Sequence, residues 1–328
     1  MTKNSDSKLQ IISKIDPPEH NFYSKMVDFK GIAIKASQEV DDQALFEAWQ
    51  RLHMMLKAIP QVTENLKSIR AEVHIIGKNQ VTSDLPENRR FKDIAVDGEL
   101  DIDERTRGTG GLQASCGEEN LLRLEKDRYR GRDILVHEFS HTIHTYGLDN
   151  SARKKIHNLY ESARNKNLWP GCYAISTVYE YFAELAMWYF GTHGDPGNIS
   201  PPMVAGPLWL KSYDSDAFTF FDQLFTGKMK TKTLTFKPLK QSSLSEEQLK
   251  SKNSDTSTMV KFENKTSQPV KLFWLDFQGK RVFYNQLEAS HSTFQQTYKT
   301  HPWVVTDLND HLITIFLPQE FAGIARIE

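Results

Sequence analysis

Apolar positions recur at two different periods along the chain, and the change of period divides it. FKGIAIKAS (Phe29 to Ser37) and AEVHIIG (Ala71 to Gly77) are short β-branched runs of the kind that forms strands, the second closed by glycine. Between them, DDQALFEAWQRLHMMLKAI spaces its apolar residues three to four apart behind Asp41 or Asp42. That pattern predicts a helix with one buried face and an acidic N-cap. RGTGGLQAS (Arg107 to Ser115) then leads towards DILVHEFSHTIHTYG (Asp133 to Gly147), and helical spacing dominates from there to about Thr226. A mixed sheet followed mostly by helices reads as α+β.

The last 70 residues change to a period of two, in MVKFENKT, VKLFWLDFQGKRVFY, HPWVVTD and HLITIFLP, with DFQGKR as a hairpin turn. A small all-β sandwich domain is expected over residues 259–328. Between the two regions, residues 228–258 are rich in Lys, Ser and Thr and poor in large apolar side chains, which predicts a linker. TLTF at its start can form a short strand. The expected layout is a polar leader (1–20), an α+β domain (21–227), the linker and the β domain; no internal repeat is seen.

Bulk properties narrow the function classes. A length of 328 residues suits two domains. Lys+Arg number 41 against Asp+Glu 42, a net charge of −1, without the basic excess of a nucleic-acid protein. No run of about 18 apolar residues exists to span a membrane. MTKNSDSKLQIISK has no apolar core of a secretory signal, which leaves open a cytoplasmic protein or one whose signal was removed, secretion being favoured. Cys116 and Cys172 can form one disulfide or stay as two thiols, and a monomer is expected.

His137, Glu138 and His141 form HExxH. On a helix, positions i and i+4 share a face, so both imidazoles can reach one ion, and Glu138 sits beside an open coordination position. His144 lies a further turn along. One zincin class requires glycine three residues after the second histidine and a third histidine three beyond. Here those positions hold His144 and Gly147, the reverse order, so His144 reads as a packing or supporting residue. A better third ligand lies in GCYAISTVYEYFAELAMWYFG, where Glu180 and Glu184 share a face of a largely apolar helix. Buried carboxylates need a partner or a metal. On the residues alone, hydrogen-bonded histidines and solvent-facing or arginine-paired glutamates stay open as alternatives.

HEFSH followed by EYFAE resembles the gluzincin metallopeptidases, specifically the group of the anthrax lethal factor catalytic domain, over about Arg70 to Phe190. The resemblance implies a zincin-like fold over 21–227, a Zn²⁺ cofactor and ligands His137, His141 and Glu180. It further implies Glu138 as general base, Tyr173 as the transition-state stabiliser seven residues before Glu180, and Glu184 bonded to a ligand histidine. The glycines of RGTGG suggest an edge strand or loop where a substrate backbone approaches closely.

FWLDFQGKRVFYNQL and TYKTHPW resemble the von Hippel–Lindau β domain, whose aromatic and polar pocket binds hydroxyproline. Carried over residue by residue, that pocket falls on Trp274, Tyr284, Thr297, His301 and Trp303. The sequence departs from the family at Thr297, where the family has serine, at Asp276, where it has asparagine, and at Pro302. The expected function is a zinc-dependent endopeptidase tethered to hydroxyproline-bearing substrates, collagen-like or plant cell-wall proteins among the candidates. The alternative is a binding protein with an idle or regulatory peptidase fold. The following helical domain of the tumour suppressor has no counterpart before Glu328, so an adaptor role is not expected.

Overall fold

A computed structural model describes residues 11–93, 95–96, 100–129, 131–193, 206–254 and 256–328. The chain divides into two compact units, residues 1–233 and 234–328.

In the first unit, strands β1 (Ser13–Glu19), β2 (Tyr23–Phe29) and β3 (Ile32–Ala36) precede helices α1 (Asp42–Leu56) and α2 (Pro60–Ser68) and strand β4 (Glu72–Ile76). A small ribbon follows, β5 (Ala95–Val96) with β6 (Leu100–Asp101), then the helical turn α3 (Ile102–Arg105), β7 (Gly108–Thr109), β8 (Gln113–Gly117) and the turn α4 (Glu118–Leu121). The remaining helices are α5 (Ile134–Thr142), α6 (Asn150–Asn165), α7 (Val178–Phe190), α8 (Pro207–Tyr213) and α9 (Ser215–Phe225). The six-stranded sheet runs β1-β2-β3-β4-β8-β7, with β3, β4 and β8 parallel and β7 antiparallel at one edge.

Local chemistry explains these boundaries. Asp41 caps α1 by accepting from Gln43 N, and Ala44, Leu45, Ala48, Leu52 and Met55 form its buried stripe. Pro60 occupies the first turn of α2, where its missing N–H costs nothing. The expected leader contributes β1 from Ser13 onward, an edge strand carrying Pro17 and Pro18; residues 1–10 lie outside the described residues. Prolines suit an edge, which has no outer partner to donate to. Cys116 and Cys172 are both free thiols. Among the described residues, no helix is long and apolar enough to cross a membrane.

The second unit is two four-stranded sheets, β13-β10-β16-β9 and β12-β11-β14-β15. Their strands are β9 (Lys237–Pro238), β10 (Ser257–Asn264), β11 (Val270–Leu275), β12 (Arg281–Leu287), β13 (Ser292–Tyr298), β14 (Trp303–Thr306), β15 (Leu312–Phe316) and β16 (Gly323–Ile327). Val260, Phe262, Leu272, Trp303, Val305, Phe316 and Ile327 fill one core shared by both sheets. Asp276 accepts from Gln278 N and Lys280 N, both at 2.8 Å, so its carboxylate makes the β11–β12 turn.

Residues 228–258, expected as a linker, are mostly exposed but anchored at several points. Lys232 is held in the first unit, its N donating to Asp149 and its O accepting from Asn65. From Leu234 the chain belongs to the second unit: β9 pairs with β16, Leu239 enters the core, and Gln241 bridges Phe316 of the other sheet. Leu249 packs on Phe273, Leu275, Val304 and Ile315, while Glu246 holds Arg281 at 2.6 and 2.7 Å. A few apolar anchors suffice to dock a stretch whose average composition is polar.

One charged cluster fastens the first unit's sheet. His74 on β4 is 3% exposed, with Nε2 2.9 Å from Glu72 and Nδ1 2.8 Å from the Tyr23 hydroxyl and 2.5 Å from Glu87. Lys35 bonds both oxygens of Glu72 at 2.8 Å and also reaches Glu19. Burial would lower the pKa of His74, but Glu72 and Glu87 outweigh it and hold the imidazole above its ordinary value. The cluster's stabilisation is then fully present below the unfolded histidine value and drains away as pH climbs towards the folded one. In thermal unfolding scans, Tm should fall as pH rises above about 6.5, and His74→Gln should flatten that decline while lowering Tm near neutrality.

Candidate metal centre and aromatic pocket

Helix α5 is anchored at its start. Asp133, 2% exposed, accepts from Val136 N at 3.2 Å as the N-cap while its other oxygen takes Arg51 at 2.9 Å and Arg123 at 2.8 Å. Asn120 accepts from Ile134 N at 2.8 Å. The helix packs on β8 and against α7, whose N-cap Thr177 accepts from Glu180 N at 3.1 Å. Gly191 ends α7 with φ 70°, the left-handed conformation glycine adopts at low cost. These caps place His137 and His141 opposite Glu180.

The three atoms converge. His137 Nε2 lies 3.1 Å from His141 Nε2 and 3.1 Å from Glu180 Oε2, and His141 Nε2 lies 3.6 Å from the same oxygen. A tetrahedral ion with bonds of about 2.0–2.1 Å needs neighbouring donors about 3.3 Å apart. Glu180 Oε2 is buried without a hydrogen-bond partner among the described residues, as expected of an atom aimed at a cation. Glu138 stands alongside, and the donor atoms of His137, Glu138 and His141 lie within 4.8 Å of one another. The set fits a zinc-sized ion.

Electrostatics agree. Burial alone would raise the Glu180 carboxyl, yet His137 and His141 hold it down to about 2. Burial opposes charge on His137, but Glu180 and Glu184 lift it to about 10, a measure of how much negative charge surrounds it. Burial pushes the Glu138 carboxyl up, which makes its anion a stronger base. Glu184 Oε1 lies 3.0 Å from His137 Nδ1. A carboxylate only accepts, so its nearness favours a proton on Nδ1, which leaves the Nε2 lone pair for the site.

Tyr173, 54% exposed, opens a short 3₁₀ turn, its ring stacked 6.4 Å from that of His137. Burial and the neighbouring Glu180 push its pKa up, so the hydroxyl stays protonated and able to donate. Tyr160 steadies the turn by donating to Ile175 O at 3.2 Å.

His144 does not join the set. After Thr142 the helix widens into a π turn, Ile143–Gly147, closed by Leu148 N to Ile143 O at 3.0 Å. His144 packs instead on Phe182 (ring centroids 4.9 Å apart) and Tyr179 (5.4 Å). Burial drives its pKa down to about 3, so it is neutral.

The edge strand expected at these glycines is present as β7, and Gly108 within it and Gly110 just after it pack closely. A Cβ on Gly110 would lie 2.8 Å from His141 Cβ, and one on Gly108 2.6 Å from Ile134 Cγ2. They let the edge strand lie directly against the helix that carries the histidines.

In the second unit the five aromatic and polar positions also meet. The Tyr284 ring lies 4.8 Å from Trp303, and Trp274 stacks on His301 at 5.1 Å. Trp303 Nε1 donates to Thr297 Oγ1 at 2.8 Å, which leaves the threonine proton for another acceptor. Burial keeps the pKa of His301 below its ordinary value, so the ring is neutral. Sequence reasoning missed Ser251, which accepts from Trp274 Nε1 at 2.6 Å, and Ser254, 3.3 Å from His301 Nε2. Both lie in the stretch whose composition suggested a linker. It also missed Arg132 and His193 beside Glu184.

Residues 249–315 match the family model of the VHL beta domain. The VHL-like match thus begins two residues before Ser251 and includes all five pocket positions. No curated protein matches the chain. Among solved structures, the Pro-Pro endopeptidase PPEP-2 from Paenibacillus alvei is similar at 17% identity with a TM-score of 0.44, over 60% of this chain and 98% of that one.

Because the Gly110 contact is with a helix-bound Cβ that cannot swing aside, Gly110→Ala should cost about 1–3 kcal/mol of stability by overpacking. Urea denaturation against the unaltered protein measures it directly.

Proposed function

We propose that this chain is a zinc-dependent endopeptidase of the gluzincin type, directed to hydroxyproline-containing proteins by its C-terminal β domain. The observation that carries the reading is the convergence of His137 Nε2, His141 Nε2 and Glu180 Oε2 at 3.1–3.6 Å with Glu138 alongside. His137, His141 and Glu180 would hold the ion. Bound there, zinc supplies a Lewis acid that polarises the scissile carbonyl and acidifies water towards neutral pH.

The chain's own residues do the rest. Glu138, with its raised basicity, takes the proton of the attacking water and passes it to the leaving amine nitrogen. Tyr173, protonated and beside Glu180, donates its hydroxyl to the oxyanion that develops on the substrate carbonyl. Glu184 holds the His137 ring in the tautomer that presents Nε2.

The pocket of the second unit suits a hydroxylated pyrrolidine ring. Trp274 and Tyr284, partly buried, offer apolar faces over the buried Trp303, and Thr297 and neutral His301 offer polar groups to a buried hydroxyl. Polar groups built for such a hydroxyl are left unpaired by plain proline, which is the basis of discrimination. Asp276 does not weaken this reading, because its carboxylate serves the turn.

Matched peptide libraries containing proline or 4-hydroxyproline, digested and read by mass spectrometry, test both halves. Cleavage should favour the hydroxylated set, and Thr297→Val should remove the preference without abolishing cleavage. Equal cleavage of both sets would reject hydroxyproline guidance, and binding without cleavage would favour a binding protein. Glu138→Gln should lower kcat by about 10²–10⁴ with zinc retained, and Tyr173→Phe by about 10²–10³.

A further inference from the structure

Glu184 is 4% exposed on helix α7, one turn from Trp188 on the same face, and Phe182, Leu185 and Trp188 of that helix are all fully buried. An ionised carboxylate there must be satisfied on both oxygens. Oε1 faces His137 Nδ1 at 3.0 Å and also takes the guanidinium of Arg132. Oε2 faces His193 Nε2 at 2.8 Å. Since the carboxylate is acceptor-only, that His193 nitrogen carries the proton.

His193 is itself fixed. It is 6% exposed and lies flat on Trp188, with ring centroids 4.5 Å apart and planes 17° from parallel. Trp188 is in turn packed on Trp169 and Trp209. The backbone ties the two sides of the carboxylate together: Asp133 N, next to Arg132, donates at 3.0 Å to the carbonyl of Thr192, next to His193. One hydrogen bond thus sets the spacing of both groups that grip Glu184.

We propose that His193 and Arg132 are positioning residues for the metal centre, acting through Glu184 on His137. Without His193, Oε2 becomes a buried acceptor with no partner, and the carboxyl is free to turn towards Arg132. That rotation withdraws Oε1 from His137 Nδ1 and frees the imidazole to rotate or change tautomer. The inference rests on the metal-centre reading above, and it assigns work to a residue outside both HExxH and EYFAE.

The test is the zinc dissociation constant of the full chain, measured by competition with a chromophoric chelator. His193→Phe keeps the ring on Trp188 and removes the donor; His193→Gln restores a donor near the same place. His193→Phe should weaken zinc binding about 10–100-fold and lower the apo-protein Tm, because a buried carboxylate oxygen loses its donor, with far-UV circular dichroism little changed, and His193→Gln should recover most of both. Arg132→Met, read the same way, approaches Glu184 from its other oxygen and serves if the phenylalanine variant does not fold. Cobalt(II) bound to the variants should show altered visible bands if the His137 ring has moved. Unchanged zinc affinity in both His193→Phe and Arg132→Met would overturn the proposal while leaving the zinc site intact. Failure of the unaltered protein to bind zinc at all would overturn the metal-centre reading itself.

Discussion

The contact between Glu184 and His137, across the packed helices α5 and α7, is the one on which the chemistry proposed for the first unit depends. A carboxylate inside an apolar helix face is unfavourable by several kcal/mol unless it gains hydrogen bonds of comparable worth. Glu184 gains them from Arg132 and His193. Its Oε1 also lies 3.0 Å from His137 Nδ1, which favours a proton there and leaves Nε2 for an ion. Glu180 meets the same problem differently: its buried Oε2 has two imidazoles beside it. Two glutamates four residues apart are thus held by different means, one by an arginine and a histidine outside the motifs and one by the two histidines of HExxH.

Much of this site was legible because its determinants are short-range. HExxH needs only helical periodicity to bring two rings together, and the buried carboxylates of EYFAE announce an unusual environment within a single turn. His137, His141 and Glu180 meet where those patterns indicate, and Tyr173, expected only from the family resemblance, lies beside His137. The supporting residues were hidden because they arrive from outside any motif. Arg132 precedes a helix cap and His193 follows a helix end, and only the backbone bond from Asp133 to Thr192 brings them together. The π turn after Thr142 was equally silent, since its apolar residues read as a continuing helix.

The glycines of β7 and the serines near residue 251 show a second kind of limit. Such glycines signal close approach but not of what; here Gly110 lies against His141 and Gly108 against Ile134. Ser251 and Ser254 sit in a lysine- and serine-rich stretch, where average composition outweighs the one or two residues that dock. Leu239 and Leu249 draw that stretch onto the second unit, and Ser251 then meets Trp274. The aromatic pocket was visible in the sequence as a set of residues. The hydroxyl groups that orient its rings required the fold.

Zinc K-edge X-ray absorption on protein purified without chelators, together with metal stoichiometry, tests the central claim most directly. The account predicts one zinc per chain with only nitrogen and oxygen donors at about 2.0–2.2 Å, two of them imidazoles. Protein that stays metal-free after incubation with zinc, or a spectrum showing sulfur at about 2.3 Å, would contradict it.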